Sequence, residues 1–335
     1  MFTLRQYLLA LLDSRGLTRT LGEIDVCRDE QGRPCFSAGN SAAVFRIRLG
    51  GRIRSLRCYL RPMRHLKEIY GQRLLEKELY LHTSPETGVW VDTVLGDWIE
   101  GSTLHETVAQ AAALRDRESL QILVRLFDRL ALALVTDNRA HGDLKPENII
   151  VGDDGTLCPI DFDASYLPAF AGEISPELGT AAYQHPARTA ADFDERIDDY
   201  PAALISTALH ALAEDPTLWD RYGSSDGLLY TPQRIASDPA YRETLALFEK
   251  RGMAVQYRIA QLLTAPTLRL FGLAELLAEA VREKPAARSG TEAETPELFV
   301  ENGRWGYRTA ERVVVAPLYD NGFDFTEGLA AGQLG

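Results

Sequence analysis

The sequence predicts an α+β fold in two lobes, a mostly antiparallel sheet with one helix followed by a helical lobe, and three observations carry the prediction. Short runs rich in β-branched and aromatic residues crowd the chain up to Glu100. Beyond Gly101 the apolar residues recur at three- and four-residue spacing over long stretches. Where the helical part begins, His141–Val151 and Ile160–Asp163 set polar residues at the ends of two short apolar runs joined by an Asp-Asp-Gly turn. A hairpin brings such strand ends to one place.

In chain order, residues 2–14 have the spacing of an amphipathic helix packed on the body, and residues 1–19 form an N-terminal helical segment. Residues 20–100 make the strand-rich lobe. Cys35–Ser37, Ala43–Leu49, Ile53–Leu60 and Val89–Leu95 read as strands, with a tight Gly50-Gly51 turn between the second and third. Leu66–Leu81 reads as a helix between strands. Residues 101–282 make the helical lobe: Leu120–Val135 carries an apolar stripe, and Tyr200–Ala213, Tyr241–Lys250, Tyr257–Leu263 and Leu268–Arg282 are further helices. Residues 283–297, polar and Pro-bearing, read as a linker. Residues 298–335 are a separate β-rich tail.

The net charge of −12 argues against broad nucleic-acid binding, since a phosphate-binding surface needs a basic excess. The arginines between Arg46 and Arg64 read as one edge of a solvated sheet, where charge blunts strand pairing. Cys27, Cys35, Cys58 and Cys158 show no C-x-x-C pair and are expected to be reduced, with no zinc site. No stretch is long and apolar enough to span a bilayer, so a cytoplasmic protein without membrane contact is expected.

The chemistry concentrates in His141-Gly142-Asp143-Leu144-Lys145-Pro146-Glu147-Asn148 and Ile160-Asp161-Phe162-Asp163. Phosphoryl transfer needs a carboxylate to orient a hydroxyl and accept its proton, and an amide and a second carboxylate to hold magnesium. The stretch resembles the catalytic loop and metal-binding segment of bacterial eukaryotic-like (Hanks-type) Ser/Thr protein kinases, H-R-D-x-K-x-x-N followed by D-F-G. The resemblance covers residues from about 20 to 282. It implies that Asp143 acts as the base, that Lys145 neutralises the transferring phosphate, and that Asn148 and Asp161 hold magnesium beside ATP. Gly142 stands where the family has the arginine that clamps a phosphorylated loop, and Asp163 stands for the last glycine of D-F-G.

Further motifs follow the family's order. Ser37–Val44 keeps only the middle glycine, Gly39, of the phosphate-covering loop, and Val44 would cover the adenine. Arg57 takes the place of the phosphate-gripping lysine. The resemblance implies a helix glutamate as its partner, Glu76, with Glu78 as competitor. Restoring lysine at 57 is then expected to raise transfer. Gly96–Leu104 looks like the hinge, with the backbone around Asp97 to Ile99 bonding adenine. Leu178–Ala187 resembles the G-T-x-x-Y-x-x-P-E platform for a protein substrate, with Ala187 in place of glutamate. Asp198 would hold the catalytic-loop backbone.

The tail, with Asn302-Gly303-Arg304-Trp305-Gly306-Tyr307, Val313–Asp320 and Phe323–Ala330, resembles one copy of a WG-type repeat. Such repeats bury their apolar faces against neighbours, so the single copy is expected to be truncated, with a lone copy docked on the kinase-like body as the alternative, and a protein partner is expected to bind through it. The leading expectation is an ATP- and magnesium-dependent protein kinase. Arg57, the depleted glycine loop and Ala187 point to the alternative of a pseudokinase. Gly142 is shared with small-molecule kinases of the aminoglycoside or choline type, a second alternative.

Overall fold

The computed structural model describes residues 1–152, 154–282, 297–301, 304–308, 313–319, 321–322 and 332–333. Two compact units divide the chain, Met1–Arg282 and Glu283–Gly335.

The first unit begins with α1 (Leu4–Leu12), which Thr3 starts with a capping box to Gln6. Tyr7, Ala10 and Leu11 are its buried stripe, and the Tyr7 hydroxyl donates to the Tyr59 carbonyl at 2.6 Å. Strands β1 (Asp25–Val26), β2 (Phe36–Ala38), β3 (Ala42–Leu49) and β4 (Arg52–Tyr59) follow. Gly50 and Gly51 turn β3 into β4 with φ of 55° and 80°, a conformation that suits glycine. After a short helix α2 (Leu66–Tyr70) come β5 (Leu74–His82) and β6 (Gly88–Asp97). The sheet runs β1-β3-β4-β6-β5, with β2 also on β3, all pairs antiparallel. One of its faces packs Phe45, Ile47, Leu56, Cys58, Leu79 and Leu81 against α1.

Two expectations fail in this lobe. The helix expected over Leu66–Leu81 stops after its five residues. Gly71 leaves the helical conformation at φ 53°, and Leu74–His82 is drawn into pairing with β6, so strand pairing overrides local helical spacing. The arginines do not line a sheet edge. β3 and β4 have neighbours on both sides, and several of the arginines on them face acids: Arg46 meets Glu100, Arg48 meets Asp25 and Arg54 meets Asp97.

The helical lobe opens with β7 (Gly101–Thr103), α3 (Leu104–Ala113) and α4 (Arg117–Thr136). β8 (Ile149–Gly152) and β9 (Leu157–Pro159) form the expected hairpin, and β8 also pairs with β7. Then come α5 (Asp199–Glu214), α6 (Leu218–Tyr222), α7 (Pro239–Arg251), α8 (Ala254–Leu262) and α9 (Leu273–Arg282). α5 is buried on nearly all sides, as the axial helix of a core must be. α4 lies against it, and buried Asp128 of α4 accepts from Ser206 Oγ at 2.7 Å and lies 2.8 Å from His210 Nε2. Among the described residues no helix is long and apolar enough to cross a membrane, and all four cysteines are free.

The second unit holds β10 (Glu297–Glu301), β11 (Arg304–Arg308) and β12 (Val313–Tyr319) in antiparallel order, with Trp305 opposite Tyr319 and Tyr307 opposite Val315. The two-residue strands 321–322 and 332–333 also pair. The expected linker, except for Glu297, and the tail's Phe323–Ala330 segment lie outside the described residues.

Candidate active site

The β8–β9 hairpin and the loop before it gather the predicted residues. Pro146–Asn148 makes a single helical turn ahead of β8, and the Ile160 amide donates to the Asn148 carbonyl at 2.9 Å, setting Asn148 beside Asp161 across the hairpin. The Asp143 carboxylate accepts from the Thr180 amide at 2.6 Å and from Asn148 Nδ2 at 3.2 Å, and it lies 3.2 Å from Lys145 Nζ. Lys145 Nζ also donates to Thr180 Oγ1 at 2.8 Å. Asp143, Lys145, Asn148 and the Gly179-Thr180 pair therefore form one contact group, although Thr180 is remote from Asp143 along the chain. His141 is fixed from both ring nitrogens. Nε2 lies 2.8 Å from the Ile160 carbonyl and Nδ1 accepts from the Asp143 amide at 3.3 Å, a pattern that places the proton on Nε2.

Asp198 plays the predicted holding role. Its buried carboxylate accepts from the His141 amide at 2.5 Å and the Gly142 amide at 3.0 Å, and it caps no helix. Burial pushes this carboxyl up, against the opposing pull of His141, the two amides and Arg188. Gly142 has a steric cause: at φ 81° a Cβ there would lie 2.0 Å from the Ala164 carbonyl oxygen, so no side chain fits.

Arg57 sits on β4 opposite Val44 of β3, and a directly opposed antiparallel pair shares a sheet face. Its guanidinium reaches across to the Asp161–Asp163 segment. Nη2 lies 2.5 Å from Asp161 Oδ1 and 2.5 Å from Asp163 Oδ2, and Nε donates to Asp163 Oδ2 at 3.0 Å. Asp163 is buried, 3% exposed, and its Oδ1 accepts from Tyr70 at 2.6 Å and Tyr59 at 3.2 Å. Burial works against the Arg57 charge, yet the combined field of Asp161 and Asp163 raises its pKa above the ordinary value. Asp161 itself holds a left-handed backbone, φ 68°.

The helix glutamate is not where the resemblance put it. Glu76 lies on β5 and meets Lys67 at 3.3 Å in an exposed pair. Glu78 is buried and accepts from the amides of Arg19, Thr20 and Leu21. With α2 so short, Asp163 takes the glutamate's place as the buried anchor of Arg57.

Around the expected nucleotide position, Gly39 donates its amide to the Ala42 carbonyl at 2.9 Å in the β2–β3 turn. A Cβ on Gly39 would meet only that oxygen, at 3.9 Å, so no steric demand fixes this glycine. Asp97 ends β6, its carbonyl accepting from Ser55 Oγ at 3.1 Å, while Ile99 lies in the strandless connector to β7. Phe162 packs with Tyr59, Tyr70 and Val94, and its ring lies 5.0 Å from that of His141. Glu177 was missed in the sequence. Burial, then the charges of Asp163, Asp161 and Asp143, hold its carboxyl above the usual range, with Arg61 opposing, so it lies within electrostatic reach of these acids. Asp163 had a signal, the second aspartate of D-F-D; Tyr59 and Tyr70 had none.

Asn148 and Asp161 offer an amide and a carboxylate oxygen, the hard donors magnesium takes when phosphates complete its shell. Among the described residues no group of three His, Cys, Asp or Glu forms a self-sufficient metal cage. The donor set therefore fits a metal shared with a phosphate ligand.

No family profile matches the chain. It is 28% identical over 171 residues to CBL-interacting protein kinase 17 of Oryza sativa, covering 49% of this chain and 35% of that protein. It is 34% identical over 113 residues to serine/threonine-protein kinase PknL of Mycobacterium tuberculosis, covering 32% and 27%. It is 25% identical over 160 residues to serine/threonine-protein kinase chk1 of Schizosaccharomyces pombe, covering 46% and 31%. The chain thus spans about a third of the length of these curated relatives. Together with the α+β fold in two lobes, these partial similarities support a protein-kinase-like fold in this chain.

Proposed function

We propose that residues 1–282 transfer the γ-phosphate of ATP to a Ser or Thr hydroxyl of a protein. The observation that carries the reading is the Asp143 carboxylate, bonded at once to the Thr180 amide, Asn148 and Lys145. Asp143 receives the acceptor hydroxyl and takes its proton as the new O–P bond forms and the bond to the ADP oxygen breaks. The Thr180 amide fixes which way the carboxylate faces. Lys145 supplies positive charge to the phosphoryl group in transit, and the Gly39 turn and Val44 lie over the nucleotide. Asn148 and Asp161 hold magnesium, which neutralises phosphate charge when bound. The backbone from Asp97 to Ile99 meets adenine. The acceptor is a protein because Gly179-Thr180, which shapes the acceptor platform in the resembled family, touches the base directly. The tail's repeat serves a protein partner.

The test is incubation with labelled ATP and magnesium, comparing the wild type with Asp143→Ala and Asp161→Ala. Label on protein in the wild type and its loss in both variants is the expected result. No label in any sample overturns the reading. A second reading, a pseudokinase, is favoured by one contact: Arg57 Nη2 at 2.5 Å from Asp161 Oδ1 engages a carboxylate oxygen meant for the metal. Thermal stabilisation by ATP with magnesium but no transfer would select it.

A further inference from the structure

We propose that Arg188 is a positioning residue of the catalytic loop, its buried guanidinium holding the Gly142–Asp143 peptide plane and so aiming the Asp143 carboxylate. The proposal rests on the reading of Asp143 as the base.

Gly142 brings no side chain to its own loop, and the space where one would begin is filled by the Ala164 carbonyl. A cation arrives from elsewhere: Arg188 Nη1 donates to the Gly142 carbonyl at 2.9 Å and also bonds Gln184 Oε1. The Gly142 carbonyl and the Asp143 amide belong to one planar peptide unit. Arg188 holds the oxygen side of that plane, and His141 Nδ1 accepts from its N–H side. The two preceding amides, of His141 and Gly142, are held by Asp198. With three successive peptide units gripped, the direction in which Asp143 leaves the backbone has little freedom.

The segment around Arg188 also touches the carboxylate. Thr180 donates to Asp143 Oδ1 at 2.6 Å. A Cβ on Gly179 would lie 2.7 Å from the Gly142 oxygen, 2.8 Å from Gln184 Nε2 and 3.1 Å from Asp143 Oδ1, so Gly179 packs closely against all three groups. Residues 179–188 thus close a ring with residues 141–143, bonded at Thr180 to the carboxylate and at Arg188 to the backbone. Arg188 is 8% exposed, Gln184 5% and Asp198 1%. Burial holds the pKa of this guanidinium below its ordinary value, against the opposing charges of Asp198, Asp143, Asp192 and Asp194. One nitrogen, Nη1, serves the Gly142 carbonyl and Gln184 together.

The experiment uses the full chain with Arg188→Ala and Arg188→Lys, labelled ATP, magnesium and histone as a generic acceptor, with hydrogen exchange of residues 140–146 followed in parallel. In Arg188→Ala we expect kcat to fall about 100-fold, KM for ATP to move by less than about threefold, and exchange over 140–146 to rise about tenfold while α5 stays protected. Arg188→Lys keeps the cation and should give an intermediate kcat. If Arg188→Ala does not fold, Arg188→Lys decides alone. A folded variant with wild-type kcat, a change in KM with kcat retained, or unchanged exchange over 140–146 overturns the proposal. If the wild type itself transfers no label, the kinase reading fails separately, and the exchange result still decides whether Arg188 holds the loop.

Discussion

Arg57 and Asp163, 106 positions apart, meet through two bonds to one carboxylate oxygen, Nε at 3.0 Å and Nη2 at 2.5 Å. The pair joins the strand-rich lobe to the Asp161–Asp163 segment. A second partner, Asp161, shares the same Nη2, and the hydroxyls of Tyr59 and Tyr70 occupy the other Asp163 oxygen. Each departure from the D-F-G and lysine pattern is therefore explained by the other: the broad guanidinium needs a second carboxylate, and the buried carboxylate needs a fork.

Asp163→Gly restores the family's residue and should nevertheless destabilise the domain. It leaves two tyrosine hydroxyls and part of a buried guanidinium without an acceptor, a loss of about 3–5 kcal/mol for a broken buried pair. Urea unfolding measures it. Tyr70→Phe, which removes only the 2.6 Å bond, should cost about 1.5–3 kcal/mol. Equal stability of all three proteins would show that the network carries no load.

Arg57→Lys, expected from the motif alone to raise transfer, should lower it about tenfold once this geometry is considered. An ammonium cannot bond Asp163 twice while reaching Asp161. Phosphate transfer at equal ATP saturation checks this, and a rate above the wild type would return Arg57 to the role of an impaired phosphate grip.

Gly142→Ala should cost about 3 kcal/mol or more, because φ 81° disfavours any side chain and the new Cβ would meet the Ala164 oxygen at 2.0 Å. Thermal unfolding of the variant reads this directly. A stability within error of the wild type would mean that the loop relaxes freely.

Burial raises the Asp199 carboxyl to about 6, partly offset by the Leu270 amide, Arg196 and Arg269. Its folded pKa lies above its unfolded one, so the native state binds more protons between about pH 4 and 6 and this group's contribution falls as pH rises through that window. The penalty is complete above the folded value and amounts to about 3 kcal/mol. Asp199→Asn should therefore gain on the wild type as pH goes from 4 to 7, because its amide oxygen can still accept from Leu270. A stability difference between the two proteins that does not change with pH would exclude Asp199 as the source.

Much of the fold was legible because its signals are local. The periodicity of Leu120–Val135 survives as α4, and the Gly50-Gly51 turn joins β3 to β4. The site was legible where one motif carries it: Asp143, Lys145 and Asn148 lie within a few residues of one another and meet through a single turn. Glu76 was misplaced because the leucines of Leu66–Leu81 suit a helix, while pairing with β6, a contact remote in sequence, makes Leu74–His82 a strand.

By itself the sequence determined most of the order of the elements, the close grouping of Asp143, Lys145 and Asn148, and the resemblance they carry. All of these depend on residue identity at short spacing. Only the tertiary structure decided what Arg57 pairs with, why Gly142 has no side chain and what holds its carbonyl. Those answers need Asp163, Ala164 and Arg188 to arrive from distant parts of the chain, and burial and steric contact between distant segments leave no local period to read.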